Sequence, residues 1–347
     1  LTPGKAFEMR SMHGAGFSEK RPPFWDALIR FMRDVARLCL DLSKIMVPVI
    51  IGVKVLQELD LIKYMAMPLG PVMKLVGLPP EMGLVWATAM LNNLYGGIIV
   101  FLSLIKDTPL TTAQATVLGT MMLVAHTMPI ELKIAQISGA RLLFQTLNRL
   151  ISALLLGGLL HLGYSGLNLL QGPAKILFES AQQGDLYQQA SLGAWALGEV
   201  QNLLCIFLII LTLMMLMRTL QRLRIIDVIN RLLRPLLRLM GIGTKASAIT
   251  VVGLTMGLTY GGGLIIHEAR LGHIHERDVF YSLTLMGLCH GLIEDTLLMV
   301  MIGGHLSGLL WARLGFAFVA VSLIVRATAR LSPGFCDHYL WARPRVS

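Results

Sequence analysis

The sequence predicts an all-α polytopic membrane protein made of two inverted repeats, each of about five crossings or half-crossings with broken helices. Three observations carry that prediction: a shortage of charge, distinctive residues repeated at a fixed displacement, and a reversal of positive charge between the repeats. Of the 347 residues, 55% are hydrophobic and 14% charged, against about 25% charged in an ordinary soluble domain. Such a composition excludes a soluble enzyme, and it excludes a disordered chain, which needs low hydrophobicity to stay solvated. The mean hydropathy of +0.67 is spread over many segments, several of which approach the roughly 20 apolar residues of a membrane span.

Taken in order, residues 1–36 read as a polar and amphipathic N-terminal segment with no signal peptide. The first repeat, 37–163, holds apolar stretches at 37–57, 83–105, 111–126 and 129–163, with an amphipathic stretch at 58–80. A linker at 164–199 is rich in Gly, Gln and Ser and poor in cations. The second repeat, 200–330, holds apolar stretches at 200–217, 246–266, 279–290, 291–303 and 306–326, with an amphipathic stretch at 218–243. A tail at 331–347 follows. Cys39, Cys205, Cys289 and Cys336 are widely spaced and suggest free thiols, with neither a disulfide framework nor a CxxC site.

The repeat is read from residue matches. Leu56, Gln57, Leu59, Ile62, Pro71, Leu75 and Gly77 recur as Leu220, Gln221, Leu223, Ile226, Pro235, Leu239 and Gly241, all displaced by 164. His126, Glu131, Gly139 and Arg149 recur as His290, Asp295, Gly303 and Arg313 at that displacement. Tyr95-Gly96-Gly97 is answered by Tyr260-Gly261-Gly262, displaced by 165. Leucine coincidences are cheap in a membrane protein, whereas a His, an acid, a Gly and an Arg at common offsets are not.

Charge then orients the halves. Lys5, Arg10, Lys20, Arg21, Arg30, Arg33 and Arg37 precede the first span, and the amphipathic stretch after it has only Lys63 and Lys74. In the second half, Lys175 stands alone before the span, and Arg218, Arg222, Arg224, Arg231, Arg234, Arg238 and Lys245 follow it. By the positive-inside rule, equivalent stretches face opposite sides of the membrane. Arg326, Arg330, Arg343 and Arg345 then put both termini in the cytoplasm, and five crossings per repeat, an odd number, fit the inversion. The net charge of +10 is thereby a topology signal; no nucleic-acid partner is expected. The expected setting is a bacterial cytoplasmic (inner) membrane, with the lipid bilayer and a small-molecule solute as partners and a homo-oligomeric state.

Inverted-repeat transporters bind substrate where discontinuous helices meet near the midplane. Two interruptions recur here: Asn92-Asn93-Leu94-Tyr95-Gly96-Gly97 against Thr259-Tyr260-Gly261-Gly262-Gly263, and His126-Thr127-Met128-Pro129 against His290-Gly291. Consecutive glycines weaken a helix by about 1 kcal/mol each, and Pro129 lacks an amide donor; close packing through small residues is the competing account of the glycines. Asn92, Asn93, Tyr95, Thr127, Tyr260 and Thr296 are the candidate substrate hydrogen-bonders. Intramembrane acids are expensive and usually face a cavity, a partner charge or a proton path, so His126, Glu131, His290, Glu294 and Asp295 are candidates for coupling H+ or Na+ movement to transport. Arg149 and Arg313 are expected to brace the bundle as charge partners of the acids.

A divalent-metal reading uses the same His and acid residues with Cys289, but no local ligand spacing supports it, and neither a metal nor a cofactor is expected. His267, Glu268, His273, His275, Glu276 and Asp278 read as a solvated loop. His273 falls six residues after His267, so no HExxH metalloprotease motif forms, and no GxxxxGK[ST] phosphate loop is present. The protein is not expected to be an enzyme.

The duplicated unit, with its amphipathic stretch, glycine-broken segment and the break His126-Thr127-Met128-Pro129-Ile130-Glu131 followed by Gly139, resembles the nucleoside-recognition (Gate) domain. That domain occurs in spore maturation proteins A and B and in the membrane part of ferrous-iron transport protein B. The resemblance covers about 37–330 in two copies and implies an inverted-repeat, transporter-like fold that moves a small solute without fixing which one; the expected solute is polar or anionic, with a nucleoside-like one among the options. The alternatives it leaves are a divalent metal ion transporter and a non-transporting membrane assembly partner. The second break, His290-Gly291-Leu292-Ile293-Glu294, departs from the pattern in having no proline, and the iron transporter's G-protein domain is absent from this sequence.

Overall fold

With no water in a bilayer core, a spanning segment must satisfy its own backbone, which leaves a single-chain segment only the α-helix. The computed structural model describes residues 24–59, 61–105, 107–177, 192–271 and 274–341, and they are helical with no strand among them. Outside them lie Lys5, Arg10, Lys20 and Arg21, the middle of the linker (178–191), His273, and Arg343 with Arg345; the side chains of Arg30, Thr259 and Tyr260 are likewise outside.

The helices fall into two sets with matching boundaries. The first comprises α1 (Phe24–Glu58), α2 (Ile62–Ala66), α3 (Gly70–Leu75), α4 (Met82–Leu91), α5 (Leu94–Leu104), α6 (Thr112–Val124), α7 (Met128–Ile137) and α8 (Leu142–Gly166). The second comprises α9 (Leu192–Arg222), α10 (Ile225–Leu239), α11 (Thr244–Met256), α12 (Leu258–Arg270), α13 (Glu276–Cys289), α14 (Glu294–Met301) and α15 (Arg313–Thr328), the last entered through a π-helical turn, Ser307–Ala312. Shifted by the same displacement as His126 and His290, 164 residues, α4 falls on α11, α5 on α12, α6 on α13, α7 on α14, and α8 on the π-turn with α15. A last short helix, α16 (Pro333–Tyr339), folds back so that Ala140 bridges Trp341.

Helix length separates the segments into two kinds. α6 with α7, α8, residues 197–222 of α9, α13 with α14, and 307–328 are long and apolar enough to cross a membrane, and α1, at 35 residues, has the length as well. α4 and α5 have 10 and 11 residues, about 15 Å each at 1.5 Å per residue, half of a ~30 Å hydrocarbon core. Their contacts run antiparallel: a Cβ at Gly97 would meet Ala89 and Val85, and one at Gly96 would meet Asn92 and Thr88. α4 and α5 therefore form a half-depth hairpin with Asn92 and Asn93 at its tip. α11 and α12 repeat it, with Gly261 against Gly253 and Gly257 (φ +93°) at the tip.

That geometry relocates the first break. Gly96, Gly97 and Gly261 lie inside helices, where the missing side chain lets two helices touch, and the interruption sits at Asn92-Asn93 and at Gly257. The partners also set the register: Gly97 packs on Ala89 and Met122, and Gly261 on Gly253 and Met286, so the displacement is 164 here too and the Tyr-Gly-Gly match is one residue out of step.

α6 and α13 are buried along nearly their whole length and form the centre. α8 packs against both, and α15 with its π-turn does the same. α8 shows what the solvent is: its outward face exposes Leu143, Leu147, Ile151, Leu155, Leu159 and Leu162, while its buried face carries Gln145, Arg149 and Ser152. Such an inside-out pattern suits a helix whose outer face meets lipid. α10 buries Ile226, Leu233 and Leu237 and leaves Arg231, Arg234 and Arg238 exposed, as an interfacial helix does.

Candidate functional site

Each long central segment breaks at its histidine. α6 ends at Val124, Thr127 turns left-handed at φ +49°, and α7 restarts with Pro129 in its first turn, where a missing amide hydrogen costs nothing. In the second half α13 ends at Cys289, Gly291 turns left-handed at φ +60°, and α14 restarts at Glu294. The turn residue thus recurs at the common displacement even though the proline does not. Both breaks are tied to a half-depth hairpin: Thr127 N–H donates to Ala89 O at 2.9 Å, and Leu292 N–H to Leu254 O at 3.0 Å.

These turns bring the two histidines face to face. His126 Nε2 and His290 Nε2 lie 3.1 Å apart, with ring centroids 4.8 Å apart. His126 Nδ1 is 3.0 Å from Met122 O, and His290 Nδ1 is 2.8 Å from Met286 O. A carbonyl oxygen only accepts, so each Nδ1 carries a hydrogen and each ring turns its Nε2 toward its twin. Glu131 Oε1 joins them, 3.1 Å from His290 Nε2 and 3.8 Å from His126 Nε2. Asp295 Oδ2 stands 4.0 Å from His126 Nε2. His126, Glu131 and His290 are 5%, 7% and 3% exposed, so these groups interact in low dielectric with little water to screen them. Glu131 and Asp295 also occupy the first turns of α7 and α14, where the helix dipole favours negative charge.

The arginines arrive from the outer helices. Arg149 on α8 uses its whole guanidinium: Nη1 on Glu131 Oε2, Nε on Val124 O at 2.9 Å, and Nη2 on His126 O at 3.0 Å. Arg313, fully buried on α15, donates only Nη2, to His290 O at 3.4 Å and Thr296 Oγ1 at 3.3 Å. Its Nε and Nη1 have no partner among the described residues. The expectation that both arginines pair with the equivalent acid thus differs from the structure at Arg313. Asp295 is one methylene shorter than Glu131 and its Oδ2 faces the histidines.

The other sequence candidates are arranged around this centre. Asn93 caps α5, accepting from Gly96 N–H at 2.9 Å, and Asn92 packs under Gly96. Tyr95 lies within electrostatic range of Glu294 and Asp295. Thr127 is half-buried at the break, Thr296 is buried against Arg313, and Glu294 is half-buried beside Asp295. The side chain of Tyr260 lies outside the described residues. His267 and Glu268 end α12, and His275, Glu276 and Asp278 open α13, all exposed or half-buried and apart from the central group. Cys289 is buried but does not join the converging ligand atoms. Met122 and Met286, whose carbonyls fix both tautomers, were not singled out by side-chain chemistry; their spacing of 164, equal to that of the histidines, is the signal that marks them.

The chain is 27% identical over 300 residues, 84% of its own length and 92% of the relative's, to the uncharacterized membrane protein YvoD of Bacillus subtilis. This is a membrane protein. No family model matches the chain, and no solved structure matches it.

Proposed function

We propose that the protein is an ion-coupled secondary transporter of a small polar or anionic solute, with its substrate and coupling cation passing through the centre where the two breaks meet. The observation that carries this reading is the convergence of His126 and His290, 164 residues apart in sequence, at 3.1 Å between Nε2 atoms inside a ring of two acids and two arginines. With each Nδ1 hydrogen given to a backbone carbonyl, two Nε2 atoms at that distance call for a proton or another cation between or beside them, which supports reading the pair as a cation-binding element. Burying so many ionisable groups is expensive in a membrane and points to a transport pathway more than to bracing. Half-depth hairpins and interrupted helices meeting at a pseudo-symmetric centre are the architecture on which alternating access runs.

The inversion belongs to the same proposal. Each set holds three long segments, an odd number, and two half-depth ones, and the cations reverse between α1 with α3 and α9 with α10. Equivalent helices then enter from opposite faces, with both termini on the cytoplasmic side of a bacterial inner membrane. The resemblance to nucleoside-recognition (Gate) domains supports a transporter and makes nucleosides the first solutes to try. Tyr95, Thr127 and Thr296 supply hydrogen bonds beside the centre.

The test is electrical recording from proteoliposomes on a solid-supported membrane, presenting nucleosides, small organic anions and cations in turn. At least one solute evokes a current above protein-free liposomes, and the current is lost in the double variant His126→Ala/His290→Ala. Silence across the panel from folded, reconstituted protein overturns the proposal.

A further inference from the structure

We propose that the positive guest of this centre is a divalent transition-metal ion, held by His126 Nε2, His290 Nε2, Asp295 and Glu131. The inference rests on the cation-binding reading above and names the chemistry of the cation. His126, His290 and Asp295 each offer a ligand atom within 4.8 Å of the others, and Glu131 Oε1 lies 3.1 and 3.8 Å from the two histidine nitrogens. Ligands about 2.0–2.2 Å from an ion at tetrahedral angles stand about 3.3–3.6 Å from one another. Four of the six separations, at 3.1, 3.1, 3.8 and 4.0 Å, bracket that value, and His126, His290 and Asp295 form the group whose ligand atoms all converge.

The surrounding contacts are those that orient metal ligands. Ligating histidines give their other ring N–H to a backbone carbonyl or carboxylate, which fixes the tautomer and raises basicity. Both histidines do so here, to Met122 O and Met286 O. Glu131 is held through Oε2 by Arg149, which leaves Oε1 facing the histidine nitrogens. A set of two imidazoles and two carboxylates suits Zn2+, Co2+, Fe2+ or Mn2+ over the all-oxygen preference of Ca2+ and Mg2+. A shared proton is the competing occupant. It satisfies the two nitrogens, whereas a metal also draws in Asp295, which otherwise stands 4.0 Å from His126 without a hydrogen bond.

The experiment is Co2+ titration of the full chain in detergent, read by visible absorption. Wild-type protein is expected to bind one Co2+ per chain, with d–d bands that Zn2+ bleaches. His126→Ala and His290→Ala each weaken binding at least 100-fold, and Asp295→Asn about 10-fold. Folded wild-type protein that shows no bands, or bands unchanged in both histidine variants, overturns the proposal. Should the variants fail to fold, X-ray absorption of Zn2+ on the wild type decides, since scattering from two imidazoles is required and its absence overturns the site. Bands without transport currents would leave the metal site and remove the transporter; currents without bands would do the reverse.

Discussion

Arg149 and Arg313 occupy equivalent places on two outer helices, yet Arg149 donates from Nε and both Nη atoms while Arg313 donates from one nitrogen alone. The two halves share a plan and differ in state. Removing one member of a buried ion pair strands the other, at about 3–5 kcal/mol. Arg149→Met, which strands Glu131, is expected to lose about that much, whereas Arg313→Met, which removes two unpartnered buried donors, loses much less. Thermal unfolding in detergent ranks the two variants; an equal or reversed ranking would show that the asymmetry carries no energetic weight.

Gly97 and Gly261 are required by packing. A Cβ on Gly97 would stand 2.8 Å from Ala89 Cβ and 2.8 Å from Met122 Cε, with Val85 O at 3.2 Å. Gly97→Ala should therefore cost about 1–3 kcal/mol, and adding Ala89→Gly should recover much of it. The second half already has Gly253 at the position of Ala89, and there the obstacle is Gly253's own backbone, so Gly261→Ala has no such rescue. Unfolding temperatures of the three single variants and the double variant measure both effects.

Thr127 and Gly291 offer a test of strain at the breaks. Left-handed backbone costs a residue other than glycine about 1–2 kcal/mol, and Thr127 at φ +49° bears it while Gly291 at φ +60° does not. Thr127→Gly is expected to stabilise by up to about 1 kcal/mol, part of the gain being offset by glycine's extra freedom when unfolded. Gly291→Ala is expected to destabilise by more than about 2 kcal/mol, because its Cβ would also collide with the Asp295 carboxylate. If both substitutions moved stability the same way, the turns would not be equivalent.

Topology yields to chemical labelling. Lys74 on α3 and Arg238 on α10 are exposed and displaced by 164. In a chain with Cys39, Cys205, Cys289 and Cys336 replaced, Lys74→Cys and Arg238→Cys should react with a membrane-impermeant maleimide from opposite faces of the bilayer. Labelling from the same face would mean that the halves run parallel.

Much of this arrangement was legible in the chain. His126 with His290, Glu131 with Asp295, and Arg149 with Arg313 stand out because polar groups are rare in apolar sequence, so coincidences among them carry information. The glycine pairs misled: the repeated Tyr-Gly-Gly suggested a break, and Gly97 and Gly261 lie within helices. A glycine serves close packing and helix termination equally well, and only the identity of its neighbours separates the two.

The sequence by itself determined that the chain is helical, that it is membrane-embedded, and that its halves share a displacement of 164, since composition and spacing are properties of a one-dimensional string. Only the tertiary structure decided that His126 and His290 meet, that Met122 and Met286 fix their tautomers, and that Glu131 is paired while Arg313 is left short of partners. Those outcomes depend on where left-handed turns at Thr127 and Gly291 aim the chain and on one methylene between Glu131 and Asp295. Contact between residues so far apart is set by how segments pack, which no local spacing records.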